Sequence, residues 1–182
     1  MASLRRSVIV LLCGLACIQP VRVHPAAAPE EPVKAVFLFN FAHFVQWPAG
    51  TFATSTQPFV IALAGGEELV PYLEEVVRGE TVNGHPLRVT PLRGAPQGGA
   101  GHILFIGRSA AAQLPRILQD APPGALTVSD LPDSARNGVM IELVNERNRI
   151  RLRVNLAAAR AAGLTISSNL LRPAEIVGNG GR

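Results

Sequence analysis

Three arginines near the end of the chain, Arg149, Arg151 and Arg153, alternate with apolar residues. Successive side chains of a β-strand point to opposite faces, so this spacing would place three guanidinium groups on one face of a strand. Guanidinium groups bind phosphate and carboxylate groups through paired hydrogen bonds. The same pattern is typical of a solvated strand face whose arginines pair with nearby glutamates such as Glu142. We expect Arg149 and Arg151, with Arg172, to line a site for an anionic ligand or a protein partner.

The residue types that most often perform catalysis are present but are not arranged for it. His43 falls within an apolar segment, His85 in a turn and His102 at the start of a strand, and none has a cysteine or second histidine at metal-ligand spacing. Asp130 and Asp133 have the spacing of an acid–base pair, but the segment around them is also typical of turns. The motifs of serine hydrolases and zinc peptidases are absent from the sequence. We therefore expect a protein that is not an enzyme and that holds neither a metal nor a cofactor.

The segment at residues 33–48 is apolar through most of its length and contains four of the seven phenylalanines and the only tryptophan. Its spacing predicts a helix of about four turns that is apolar on nearly all sides, which is typical of a buried helix. On such a helix Phe39 would lie beside His43, with Val36 and Trp47 nearby. Two interpretations stay open: a loop covers this side of the helix, or another protein chain contacts it. On the second interpretation these four residues form an interface.

Residues 1–28 have the organisation of a secretory signal peptide. Arg5 and Arg6 precede an apolar run, and small residues gather after it. Cleavage would lower the basic count from 17 to 14 against 13 acidic residues, because three arginines and no acidic residue lie in this leader. A nearly neutral chain argues against a nucleic-acid-binding surface. Cys13 and Cys17 also lie in the leader, so the mature chain would have no disulfide. We predict export to the periplasm with cleavage of the leader.

The rest of the chain, residues 29–182, predicts one domain. Short apolar runs between turn residues predict strands, and helical spacing at 67–78 separates two of them, as in a parallel crossover. Two later runs with a four-residue polar connection predict an antiparallel hairpin. The predicted strands are 59–64, 87–92, 102–106, 125–128, 139–144 and 149–154. We expect an α/β fold: a single compact domain in which helices flank a mixed parallel and antiparallel sheet.

Two polar residues are predicted to cap helices. Ser109 would begin a helix that runs through Gln119, and Asn155 would begin one that runs through Ala162. The glycine- and proline-rich residues 94–101 predict an exposed loop.

The two ends of this domain resemble the opening and closing motifs of the YfiR-like family of bacterial periplasmic proteins. The opening motif is KAVFLFNFAHFVQWP at 34–48, and the closing motif is RIRLRVNLAAARAAGLTISSNLL at 149–171. The resemblance covers about residues 33–177. Between the two ends, further matching segments follow in the family's order at 58–63, 78–89, 102–106 and 127–130.

This resemblance implies a compact α/β domain in the periplasm that regulates without catalysing a reaction. It implies a homodimer that binds the sensor domain of a membrane-bound diguanylate cyclase, or another inner-membrane sensor, and restrains cyclic-di-GMP synthesis. Small anionic or aromatic ligands, such as GMP or tryptophan, are also implied. The alternative function is a periplasmic module that binds a nucleotide or an aromatic amino acid and serves a sensor kinase or a transporter.

Overall fold

The computed structural model of the 182-residue chain describes residues 29–94 and 101–178. The predicted leader at 1–28 lies outside these residues, as does most of the predicted loop at 94–101. Within the described ranges, none of the helices combines the length and hydropathy that crossing a membrane requires.

The described residues form five α-helices and ten short strands, with two additional 3₁₀ turns at Glu67–Leu69 and Arg108–Gln113. The helices are α1 (Glu30–Phe44), α2 (Val70–Val76), α3 (Leu114–Asp120), α4 (Leu156–Ala161) and α5 (Ser168–Leu171). The strands are β1 (Val45–Gln46), β2 (Phe59–Ala64), β3 (Thr81–Val82), β4 (His85–Leu92), β5 (Ile103–Ile106), β6 (Leu126–Ser129), β7 (Ile141–Glu146), β8 (Arg149–Val154), β9 (Thr165–Ile166) and β10 (Glu175–Ile176).

Eight of the strands form one mixed sheet in the order β10-β8-β7-β6-β5-β2-β4-β3. The central pairs from β4 to β7 are parallel, whereas β3 pairs with β4 and β7 pairs with β8 in antiparallel orientation. At one edge, the short β10 runs parallel to β8. The predicted α/β fold with a mixed sheet between helices is therefore confirmed.

The central strands are buried on both faces, which explains their continuous apolar runs. In β2, Ile61 and Leu63 belong to the core beneath α1 and α2, whereas Ala62 and Ala64 belong to a second core that contains Ile117 of α3. The first core extends along the sheet to β7 and β8, but the second contains no residue of either strand. Helix α1 therefore packs on one face of the β7–β8 hairpin, whereas α3 does not cover the other face.

Helix α1 differs from its prediction at both ends. It begins three residues earlier than predicted, at Glu30, and ends at Phe44, because Val45 takes an extended conformation and pairs with Ile166 of β9. Residues 45–48 therefore do not continue the helix, and Trp47 does not share a helix face with Val36.

Two other local predictions are also corrected. The β7–β8 turn is two residues long, not four, because Arg147 and Asn148 adopt positive φ angles of 52° and 62°. Ser109 does not cap a helix, since its hydroxyl donates to Glu67 and α3 begins only at Leu114. The sequence prediction contained no counterpart of β10. By contrast, Asn155 caps α4 as predicted and accepts a hydrogen bond from the Ala158 N–H.

Candidate partner-binding site

The arginines predicted to lie on one strand face do so in β8. Arg149 lies opposite Glu146 of β7, Arg151 opposite Val144, and Arg153 opposite Glu142. Directly opposed residues of antiparallel strands project to the same side. All three guanidinium groups thus project from the face of the hairpin that α3 leaves uncovered.

Arg149 and Arg151 are exposed and, with Arg147 and Glu146, line an open cleft of about 800 Å³. Arg147, Arg149 and Arg151 form no ion pair with any residue that the structure describes. Glu146 contributes a single negative charge, and its carboxylate approaches Arg153 instead, with 3.7 Å between the nearest atoms. The cleft therefore carries an excess of positive charge and can receive carboxylate or phosphate groups.

Arg153 has a structural role instead. Its Nε donates to Glu175 of β10 over 3.0 Å, and its Nη1 donates to Glu142 over 3.3 Å. The hydrogen bond to Glu175 raises the pKa of Arg153, and the negative charges of Glu142 and Glu146 act in the same direction. Pairing with glutamates, one part of the alternative interpretation, thus applies to Arg153, whereas Arg149 and Arg151 are exposed to solvent.

The burial of Glu142 explains why Arg153 is held in place. The side chain of Glu142 is only 2% exposed, and its carboxylate accepts hydrogen bonds from the N–H groups of Asp133 and Ala135. A buried carboxylate needs compensating charge and hydrogen bonds, and Arg153 supplies the cation. Among the described residues, no comparable buried anion faces Arg151, which lies opposite Val144.

A second, mostly apolar groove of about 340 Å³ lies between α1 and the β7–β8 hairpin. Val33 and Phe37 of α1 line one wall, and Ile150 and Arg149 of β8 line the other. Asn145 of β7 donates a hydrogen bond to Glu30, which ties the hairpin to the first turn of α1. Because Arg149 also lines the arginine cleft, the apolar groove and the cationic cleft meet at this residue.

The four residues predicted as an interface occupy different environments. Val36 is 45% exposed and His43 is exposed, whereas Phe39 is half-buried against the core, with its ring 4.9 Å from that of His43. Trp47 lies beyond the helix and packs edge-on against Phe59, with 4.9 Å between ring centroids. Trp47 therefore contributes to the core, and only the helix residues share an accessible surface.

Two exposed apolar residues on α1 were not among the predicted site residues. Val33 is 43% exposed and Phe44 is 37% exposed, and with Val36 they form what we call the apolar stripe of α1. At 3.6 residues per turn, positions 33, 36 and 44 fall on one side of the helix. The sequence alone did not show that this side is exposed. Arg172 is exposed directly after α5 but does not line the arginine cleft.

The candidate catalytic residues have structural contacts. His85 and His102 stack against Phe52, with ring centroids 3.7 and 4.6 Å apart respectively. Asp130 accepts a hydrogen bond from Lys34, and Asp133 adopts a positive φ angle in a turn. No group of three or more potential metal ligands occurs in the described part of the chain.

A family model described as YfiR/HmsC-like matches residues 31–175, which is most of the chain. The chain belongs to the YfiR/HmsC-like family. This is a family of periplasmic regulatory proteins, in agreement with the resemblance found in the sequence. None of the curated proteins matches the chain in sequence.

Among solved structures, the chain is similar to one described as the ABC domain in complex with L-Trp from Streptococcus pneumonia. The two are 11% identical with a TM-score of 0.48, over 66% of this chain and 55% of that one. This YfiR/HmsC-like chain thus spans about half the length of that structure.

Proposed function

We propose that this protein is a periplasmic regulator that binds a membrane-bound signalling protein, a diguanylate cyclase, and restrains its synthesis of cyclic-di-GMP. The observation that carries the proposal is the junction at Arg149. There, a cleft lined by three arginines without ion pairs to described residues adjoins an apolar groove and the apolar stripe of α1. Membership of a regulatory family supports a role in binding rather than in catalysis.

The composition of this surface suits a protein partner. Protein interfaces combine an apolar centre with a polar rim, and arginine is enriched in them. Val33, Phe37 and Ile150 supply the apolar centre, while Arg149 and Arg151 supply rim charges that would meet acidic groups. Binding at this surface restrains signalling only if the regulator binds the inactive state of its partner more tightly than the active state.

The test is a reconstitution of the full-length cyclase from the same organism in liposomes, with the processed regulator added to the side of its sensor domain. We expect cyclic-di-GMP production to fall as the regulator is added. Arg151→Ala should weaken this inhibition by about tenfold in concentration, as expected for the loss of one charged hydrogen-bonding group. Arg78→Ala is the matched control, because Arg78 is exposed after α2, away from both grooves. Unchanged cyclase activity at saturating regulator would contradict the proposal.

A second candidate function, binding of a small aromatic or anionic ligand, is favoured by the groove between α1 and β8. Its volume of about 340 Å³ falls within the range of small-molecule sites, and Arg149 stands at its rim. Thermal unfolding in the presence of GMP or L-tryptophan tests this function, since a ligand of the native state raises the Tm. A rise in Tm without any effect on the cyclase would favour this candidate over the first.

A further inference from the structure

The outer edge of β8 is only partly covered by β10. The paired residues are Glu175 with Arg153 and Ile176 with Val154, at the end of β8. Residues 149–151 of β8 have β7 on one side and, within the described ranges, no strand on the other. An uncovered edge presents main-chain N–H and C=O groups that another strand can bind.

The contacts of Val154 show which main-chain groups face this edge. Its carbonyl accepts a hydrogen bond from the Val177 N–H over 3.0 Å, on the side of β10. Hydrogen-bonding groups of alternate residues in a strand point the same way. The N–H and C=O of Ile150 therefore also face outward, whereas those of Arg149 and Arg151 face β7.

The two sides of this edge differ in chemistry. Arg149 and Arg151 project to the side of the arginine cleft, and Ile150 projects to the groove with Val33 and Phe37. A strand added here would point alternate side chains to these two sides. One set would meet guanidinium groups, and the other would meet apolar groups.

We propose that the edge of β8 accepts an extended segment of the partner as an additional strand, and that this segment alternates acidic and apolar side chains. This inference rests on the proposed function, because it specifies how the partner is recognised. Main-chain hydrogen bonds would supply affinity, and the alternating side chains would supply specificity, as in other cases of strand addition.

Charge selects this occupant over a second copy of the chain. If two copies joined through their β8 edges, Arg149 and Arg151 of one would lie beside the same arginines of the other. Like charges placed side by side across strands are destabilising. A different function of these arginines, protection of the edge against any strand, predicts that no peptide binds there.

The experiment uses synthetic octapeptides of alternating Glu and Val with blocked ends, titrated into the processed protein and followed by calorimetry. Two unmethylated control peptides have other sequences: one alternates Lys and Val, and the other has four Glu followed by four Val. Two further peptides have the alternating Glu and Val sequence, and their backbone amides are N-methylated either at every Val or at every Glu. Only alternate amides of an added strand face β8, so one methylated form should lose binding and the other should keep it. Which form loses binding reports whether the strand is parallel or antiparallel.

We expect the alternating Glu and Val peptide to bind at least about tenfold more tightly than either unmethylated control. Arg149→Ala and Arg151→Ala should each weaken binding of this peptide by about five- to tenfold, and Arg78→Ala should leave it unchanged. Because the methylated peptides leave the protein unaltered, their result does not depend on how any variant folds. Absence of saturable binding, or equal loss with both methylated peptides, would overturn strand addition.

The outcomes separate this inference from the proposed function. If the arginine variants lose control of the cyclase but the peptides show no dependence on methylation, the regulator binds its partner by another geometry. If the peptides bind with the expected dependence but the cyclase is unaffected, the edge site exists and the proposed function fails.

Discussion

The Nζ atom of Lys34 lies 2.7 Å from Oδ2 of Asp130, 96 residues away in sequence, and so ties α1 to the carboxyl end of β6. Both side chains are buried, with 7% and 6% of their surfaces exposed, and Glu30 approaches the same ammonium group at 3.1 Å. Burial acts to lower the pKa of Lys34, but the hydrogen bonds and charges of Asp130 and Glu30 outweigh it and raise that pKa. The lysine is therefore charged, and its position fixes the start of α1 on the sheet.

Replacing Lys34 with alanine should destabilise the fold strongly. The change leaves the Asp130 carboxylate buried without its cation, and its Oδ1 already has no partner among the described residues. Loss of one member of a buried pair costs about 3 to 5 kcal/mol. Urea unfolding measures the change, and the double variant Lys34→Met, Asp130→Leu should recover much of it. Arg116→Ala is the control, because its pair with Asp120 is at the surface and should contribute less than about 1 kcal/mol. Equal small effects of Lys34→Ala and Arg116→Ala would show that the buried pair does not fix α1.

Stability should fall as the pH is lowered through the titration range of His102. The Val60 N–H donates to Nδ1 of this ring over 3.0 Å, so Nδ1 carries no proton in the fold. Burial first, and the nearby His85 second, lower the pKa of His102 below its ordinary value of 6.5. The unfolded chain then binds a proton at a higher pH than the native chain does. The contribution of His102 is thus complete above about pH 6.5 and is lost as the pH falls through the lowered native pKa.

Urea unfolding at a series of pH values between 7.5 and 5 measures this dependence. His102→Gln should flatten the curve over this range, because an amide at this position does not titrate. A variant with the same slope as the wild type would show that His102 is not the source of the dependence.

The sequence predicts the parts of this fold that depend on local patterns. The buried β2 and the β7–β8 hairpin were found because strand periodicity and turn residues are encoded within about ten residues. The end of α1 was wrong because the apolar spacing continues to Trp47, whereas the chain turns at Val45 to pair with Ile166, 121 positions later. The second strand of that pair is distant in sequence, so no local pattern reports it.

The candidate site shows the same division. The alternation of Arg149, Arg151 and Arg153 predicts their common face correctly, because strand geometry alone decides it. Which arginine is paired was not predictable, since Glu175 comes from β10, a two-residue strand without a detectable pattern. The burial of Lys34 on α1 was likewise not predictable, because its partner Asp130, which follows β6, is distant in sequence.

Asn155 should be among the polar residues most sensitive to substitution. Its side chain is fully buried, caps α4 through the Ala158 N–H, and donates to the Ala135 carbonyl over 2.9 Å. Asn155→Ala removes the cap and leaves a buried carbonyl without this donor, so we expect a loss of about 2 to 4 kcal/mol by urea unfolding. Ser167→Ala, which removes only a cap on α5, should cost about 1 kcal/mol. A cost for Asn155→Ala no larger than that for Ser167→Ala would mean that the bond to Ala135 adds nothing.

Arg151 and Arg153 are two residues apart on the same strand face, yet we expect alanine at position 153 to lower stability and alanine at position 151 to lower affinity for the acidic peptide. Arg153→Ala deprives the buried Glu142 of its cation and breaks the link to Glu175, so we expect a loss of about 2 to 3 kcal/mol in urea unfolding. Arg151→Ala breaks no side-chain hydrogen bond or ion pair with a described residue and should change stability by less than about 0.5 kcal/mol. The same Arg151 variant should lose affinity for the acidic peptide, which Arg153→Ala should retain while it remains folded. If Arg151→Ala destabilised the protein as much as Arg153→Ala, the exposed arginines would belong to the framework of the hairpin rather than to a binding surface.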